Sequence, residues 1–468
     1  MPLTNARTDR LNLLQRIWYS IFPGTYQKPL DRQGYRNLFN TLLLHFRPRH
    51  VPERTLKFTL TWGLGGMAVV LVAMLFATGL MMKFFYQPVP DRAYASIIYL
   101  QNTVFFGQLI RNLHHWSGNA LLLIVFLHFL RVFFTGAFHA PRQFNWIIGL
   151  AMFLLVLGSN FSGYLLPWDQ LAFWAITICT GMLEYIPGIG GGLQKLIRGG
   201  ADIGPATLSN FYAIHTALIP ACLVILMPFH FWRVRKSGGL VIPRPPQEDP
   251  DDRGESVAAI PNLIIRELVV AVVLVAVLMV LSVTFNAPLE AKANPGLSPN
   301  PTKAPWYFAG IQELLLHFHP LVAVMAIPLI ILTALFFLPY LRYESETAGV
   351  WFCSDRGRQM SMIAVVVALI ATPLGILADE YIVDFAAWLP SVPAVISNGL
   401  IPAAITLASI SGFYGLMKRK YIATNNEAIQ SVFILLLVSF IILTITCIWF
   451  RGSGMALMWP WEVSNPIP

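Results

Sequence analysis

The sequence predicts an all-α integral membrane protein with about nine transmembrane helices, the first four of them forming a bundle. Three observations carry this. Of 468 residues, 56% are hydrophobic and only 12% charged, with a mean hydropathy of +0.62, a balance suited to lipid rather than to a water-soluble core. Nine apolar runs fall near 60–85, 112–134, 144–166, 210–232, 262–286, 319–341, 360–378, 394–416 and 429–450, most of them reaching the ~20 residues a helix needs to span a bilayer. The charges sit between the runs, with basic residues concentrated in alternate connections.

Residues 1–57 read as a cytoplasmic preamble, rich in arginine, in which Trp18, Tyr19, Phe22 and Tyr26 mark an amphipathic helix at the interface. No cleavable leader is evident, so the first run is expected to act as its own insertion signal. With a cytoplasmic N-terminus, the even-numbered connections should be basic. They are: Arg131 and Arg142, then Arg233, Arg235 and Lys236, then Arg356 and Arg358, then Lys418, Arg419 and Lys420. One opposite-side loop is acidic, with Asp379, Glu380 and Asp384. The formal charge of +9 therefore belongs to membrane topology and not to nucleic acid. The expected divisions are the preamble (1–57), a four-helix domain (58–236), a polar linker (237–261), further helices (262–345) and three additional helices with a tail (346–468). Four scattered cysteines, Cys179, Cys222, Cys353 and Cys447, give neither CxxC nor CxxCH, so no zinc site or covalent haem attachment is signalled. The run at 360–378 is the weakest, being short and interrupted by Pro373.

The second run carries His114 and His128, fourteen apart, and the fourth carries His215 and His230, fifteen apart. Fourteen residues at ~100° each return to within about 40° of the same face, about 21 Å further along. Ionisable groups inside a span are costly and mark function by default. The second and fourth runs have the same direction, so His114 lies level with His215 and His128 with His230. Two bis-imidazole sites stacked across a membrane suit haem, whose flat ring leaves two axial positions for side chains from opposite helices. Zinc needs its ligands on one centre. Gly65 and Gly79 in the first run, and Gly149 and Gly163 in the third, are also fourteen apart. A porphyrin between helices needs neighbouring backbones close by, which calls for glycine. Arg111 and Arg131 stand three residues beyond the two histidines of the second run, placed either to pair with haem propionates or to anchor the helix at the interface. His115 does not share the face of His114 and reads as a hydrogen-bonding residue, while His317 and His319 read as interfacial.

Further motifs then carry a family resemblance: GYLLPWDQ (163–170), WAITICTGMLEYIPGIGG (174–191), RGGADIGPATLSNFYAIHT (198–216) and PWYF (305–308). With the histidines and glycines, they make residues 30–345 resemble cytochrome b of the quinol:cytochrome c (Rieske/cytochrome b) oxidoreductases. The fifteen-residue interval looks like the chloroplast-type and menaquinol-type branch, here with both halves fused. The resemblance implies two haem b groups and quinol oxidation at the outer face, between a segment with Trp168 and Asp169 and one with Tyr307. It implies one electron passing to a Rieske iron–sulfur protein and one through the haems to quinone at the inner face, coupled to proton translocation. It also implies a cytochrome c-type subunit, a homodimeric complex and a bacterial-type cytoplasmic membrane. A di-haem anchor of another dehydrogenase, or an ion-coupled transporter with histidine relays, are the competing expectations.

Two departures stand out. Gly63 occupies the place where the chloroplast-type branch carries a haem-anchoring cysteine. And where the family's outer-site signature PEWY has a glutamate, this sequence reads Ala304-Pro305-Trp306-Tyr307. A general base is then missing. If 306–313 is helical, Glu313 lies about 20° from the face of Trp306, two turns on. A partly buried Glu313 with a raised pKa is the expected substitute, unless it only marks the wet end of an interfacial helix.

Overall fold

A computed structural model describes residues 12–22, 49–243, 254–344 and 348–463. Among the described residues nine helices are long and apolar enough to cross a membrane: Leu64–Lys83, Gly107–Phe134, Gln143–Tyr164, Pro205–Lys236, Ala259–Thr284, Leu321–Tyr340, Asp355–Tyr381, Ile396–Lys420 and Asn425–Phe450. They are numbered one to nine below. The one short sheet among the described residues pairs His50–Pro52 with Ser256–Ala258, antiparallel, tying the approach to span one to the start of span five. Tyr26 and residues 244–253 of the linker lie outside the described residues.

Span seven is longer than its hydropathy suggests. It runs 27 residues from Asp355 to Tyr381 and continues through Pro373. Its polar ends stay helical because they have partners. The Ser354 hydroxyl accepts from Gly357 N at 3.0 Å and itself donates to Glu427. Glu427 closes a capping box on span nine, accepting from Thr424 N at 2.9 Å. One carboxylate thus caps two helices.

Spans four, six and eight share a device. Each contains a wide π-helical turn, at Ile214–Leu218, Leu321–Ala326 and Ile396–Leu400. Each turn ends two residues before a proline: Pro220, Pro328 and Pro402. A proline has no N–H to give the carbonyl four residues back, and its ring crowds that carbonyl; widening the turn relieves both. The freed carbonyl can be used elsewhere, as at Asn398, which accepts from His319 N at 2.7 Å.

Spans one to four pack as a bundle, with span five against one and two. The last three spans are not a detached unit. Phe133, Phe134 and Trp146, from spans two and three and their junction, share a buried cluster with Met360 and Ala364 of span seven and Met417 of span eight. The helix Leu13–Ile21 begins with an Asn12/Gln15 capping box. It is fixed by Ser20, whose hydroxyl meets Tyr340 Oη at 3.0 Å and whose carbonyl accepts from Arg233 at 2.5 Å. Trp18 and Phe22 stay exposed, as an interfacial helix requires.

Because Glu427 serves both caps, Glu427→Ala is expected to cost about 1–3 kcal/mol, the sum of a lost cap and a half-buried hydroxyl left without its acceptor. A thermal-unfolding midpoint of the purified protein several degrees lower is the expected result; an unchanged midpoint would show the caps to be dispensable.

Candidate functional site

Each of the four glycines faces one of the four histidines. A Cβ built on Gly79 would lie 3.2 Å from His114 Cε1, and one on Gly163 would lie 2.6 Å from His215 Cε1. At the other end the same test gives 3.8 Å from Gly65 to His128 and 3.6 Å from Gly149 to His230. The fifteen-residue interval of span four fits this frame because of the π turn at Ile214–Leu218. Such a turn absorbs one residue beyond the α-helical count, so fifteen positions behave as fourteen. Below, the end with His114 and His215 is called outer, the end with His128 and His230 inner.

At the outer end the His114 and His215 rings lie 6.1 Å apart between centroids, inclined at 72°. That separation suits two imidazoles that each place one nitrogen ~2 Å from a shared metal. Thr78 donates its only hydroxyl proton to Met74 O at 2.7 Å, so it accepts from His114 Nδ1 at 2.9 Å. His215 Nδ1 donates to Ser159 O at 3.0 Å. In both rings Nδ1 carries the proton and the Nε2 lone pair is left for a ligand. At the inner end His128 and His230 line a cavity of about 320 Å³. Arg131 borders it. Its Nε donates to Leu60 O at 2.6 Å, but its buried Nη2 finds no partner among the described residues. A buried, unpartnered guanidinium nitrogen beside such a cavity suits an anionic group. The paired imidazoles, glycine cradles and free Arg131 nitrogen fit haem with its propionates. Arg111 differs from its expected role: its two terminal nitrogens are already engaged by Ala287 O at 2.8 Å and Pro288 O at 2.6 Å, fastening the loop after span five.

The outer end is closed by the two predicted segments. Helices at Gln170–Gly181 and Gly190–Arg198 follow the first, and Trp306–His317 forms the second. Trp168 is buried with φ +53° and packs edge-on against Phe173, so its ring serves the turn. Asp169 caps the 170–181 helix, accepting from Ala172 N at 2.9 Å and from Glu290 N at 3.2 Å. Burial raises its pKa, with nearby Glu290 adding to the effect and the two backbone N–H groups and Arg111 opposing it. Trp306 donates its indole N–H to Asn119 Oδ1 at 2.7 Å, and the Asn119 amide meets His115 Nε2 at 3.2 Å. Tyr307 has a phenol pushed above its ordinary range by burial, then by Tyr164 and Cys179. Such a phenol donates hydrogen bonds rather than taking protons.

The expected raised pKa of Glu313 is overturned. Glu313 is fully buried, and burial alone would raise its pKa, but hydrogen bonds from His317 and Arg451 outweigh that and lower it. Arg451 Nη2 lies 2.8 Å from Oε1, and His317 Nε2 lies 3.3 Å from the same oxygen. His317 Nδ1 also meets Asp379 at 2.6 Å, and Arg451 Nη1 meets Glu380 at 2.8 Å. Burial pulls the His317 pKa down, yet its two carboxylate partners raise it from 6.5 to about 9. By linkage, the contribution of His317 is complete below 6.5 and lost as pH rises through about 9. That of Glu313 is present above its ordinary 4.5 and lost as pH falls through its lower native value. The sequence reading gives no role to Arg451 and reads Asp379 and Glu380 only as an acidic outer loop. An arginine on the outer side runs against the charge bias of the other connections, beside an acidic loop on the same side, and that was the available signal.

A membrane bundle with stacked, glycine-faced imidazole pairs is an architecture that fits flat prosthetic groups at two depths. The comparisons agree. The family model described as cytochrome b/b6/petB matches residues 52–238. Cytochrome b6 of Prochlorothrix hollandica is 38% identical over 215 residues, covering 94% of that protein and 46% of this chain. Cytochrome b6 of Synechococcus elongatus is 41% identical over 175 residues, covering 81% of it and 37% of this chain. A chain of a hyperthermophilic respiratory Complex III superposes with a TM-score of 0.60 at 22% identity, over 88% of this chain and 96% of that one, and so shares the fold. This chain belongs to the cytochrome b/b6 family. It is a multi-pass redox subunit of a bc-type complex, and the family implies haem b as its cofactor.

Because a Cβ at position 163 would overlap His215, Gly163→Val is expected to remove or strongly perturb the haem absorbance of the outer pair while sparing the inner pair. Visible spectra of membranes, reduced minus oxidised, check this; an unchanged spectrum would break the link between that glycine and its histidine.

Proposed function

We propose that this chain oxidises quinol at its outer end and reduces quinone at its inner end, passing one electron of each quinol to a Rieske iron–sulfur partner. The reading rests above all on the stacking of two glycine-faced histidine pairs along one bundle, with the Trp306 and Tyr307 segment closing the outer end. Haem bound at His114/His215 and His128/His230 supplies one-electron transfer between the two ends. Moving one charge across a full membrane at 100 mV costs about 2.3 kcal/mol, so electron movement between the ends couples the reaction to the membrane potential. A cytochrome c-type subunit is the onward acceptor, the working form is a homodimer, and the N-terminus faces the cytoplasm of a bacterial-type membrane.

The residues divide the work. Thr78 and Ser159 fix the rings of His114 and His215 by holding Nδ1. Arg131 offers its free nitrogen to a propionate. Trp306 and Tyr307 bound the quinol pocket, with the Tyr307 hydroxyl as a hydrogen-bond donor. With Glu313 committed to Arg451, Asp169 is the carboxylate better matched to accepting a quinol proton, because its raised pKa brings it nearer neutrality. Gly63 has φ +66° and its Cβ position lies 3.1 Å from Val270 Cγ1, so a side chain there is strained, and no additional haem is anchored covalently at that place. The membrane-anchor reading does not account for the two closing segments at the outer end, and histidines facing glycines suit a flat ring better than a proton relay.

His128→Leu should remove the inner haem and leave the outer one in the spectrum; survival of both would refute the ligand assignment. Asp169→Asn tests the proton acceptor, since asparagine caps a helix about as well as aspartate but accepts no proton. Quinol oxidation should fall at least tenfold with both haem spectra intact. Turnover near wild type across pH 6–8 would remove Asp169 from the role.

A further inference from the structure

The 306–317 helix carries Trp306 and Tyr307 at its start, and its far end is fastened by span seven, span nine and the segment just after it. Glu313 takes a two-nitrogen contact from Arg451, Nη2 at 2.8 Å and Nε at 3.1 Å. His317, one turn on, bridges Glu313 to Asp379, and Arg451 bridges Glu313 to Glu380. Three acids thus face two bases, with Cys447 and Lys303 beside them on the ninth span and the preceding loop. Three more contacts fasten the helix and the residues just before it. A Cβ on Gly310 would lie 2.6 Å from Phe440 of span nine, so the helices touch through backbone there. Lys303 Nζ donates to Ile448 O at 2.7 Å, and Cys447 Sγ to Gln312 Oε1 at 3.5 Å.

Burying such a cluster is costly, and apolar side chains would hold two helices together as well. What a guanidinium on a carboxylate adds is a fixed direction. Glu313 lies about 20° around the helix axis from Trp306, two turns away. The angle that Arg451 fixes at Glu313 is therefore the angle at which the Trp306 indole reaches Asn119.

We propose that Arg451 is a positioning residue for the outer quinol site, acting through Glu313 to fix the rotation of the 306–317 helix and with it the placement of Trp306 and Tyr307. The site is then completed by residues well beyond the region shared with cytochrome b6, and spans seven and nine belong to its frame. This rests on the outer end being where quinol is oxidised.

The test uses the intact complex and a short-chain quinol. Arg451→Gln should lower kcat/KM at least tenfold, chiefly through KM, with both haem spectra unchanged, and Arg451→Lys should recover part of the loss. In a Trp306→Phe background, Arg451→Gln should cost less than threefold more, because its effect travels through that indole. If Arg451→Gln does not assemble, the paired Glu313→Gln/Arg451→Gln exchange leaves neither partner of the pair as a lone buried charge and takes its place, with the same tenfold loss expected. Wild-type kcat/KM in either variant, or losses that multiply with Trp306→Phe, overturns the positioning role. A wild-type complex that oxidises no quinol overturns the functional reading and this proposal with it, whereas a wild type that turns over beside an unaffected variant removes the positioning role alone.

Discussion

An imidazole inside a bilayer has no water to satisfy it, and the structure of the first four spans follows from that constraint. Each histidine must have one nitrogen held by the protein or by a ligand, and each must face a surface flat enough to accept a ring. Thr78 and Ser159 meet the first demand at the outer end. Four glycines meet the second, one against each histidine. The demand also reaches the backbone of span four, where a π turn before Pro220 takes up the extra residue between His215 and His230. A straight α-helix would have turned one of those rings about 60° away from its partner.

A different economy governs the outer end of the later spans. There the charges of two helices are paired with one another and with Arg451, just after span nine, and Arg451 and Glu313 are both fully buried. A carboxylate locked in this way is a poor proton acceptor near neutrality but a good fixed point. Asp169 is the reverse: it holds two backbone N–H groups, has no salt bridge among the described residues, and is raised by burial. Burial and partners thus push the pKa values of these two carboxylates in opposite directions.

Much of this was legible in the sequence, and what was not has physical reasons. The four histidines and four glycines could be read because helical periodicity is local: equal spacing in sequence becomes equal spacing along a helix. Helicity over 306–313 is a condition the sequence leaves open, met by the helix at 306–317, and His115 takes the hydrogen-bonding role expected of it. Span seven is longer than its apolar run because its polar ends have partners, among them the Ser354–Glu427 contact and the ion pairs of Asp379 and Glu380. Arg111 was placed correctly on its helix, but a loop 176 residues away claims its guanidinium. Glu313 failed for the same reason: its partner, Arg451, is 138 residues distant. Contacts between remote segments decide pKa values, and no periodicity announces them.

The central claim is that each chain holds two haems, each between two histidines, without covalent attachment. Electron paramagnetic resonance of the oxidised complex, integrated against the amount of this chain, tests it most directly. Low-spin ferric haem with two nitrogen ligands, amounting to two per chain and fully extractable by acidified organic solvent, is the predicted result. Fewer than two such centres per chain, or haem that remains with the polypeptide after extraction, would contradict it.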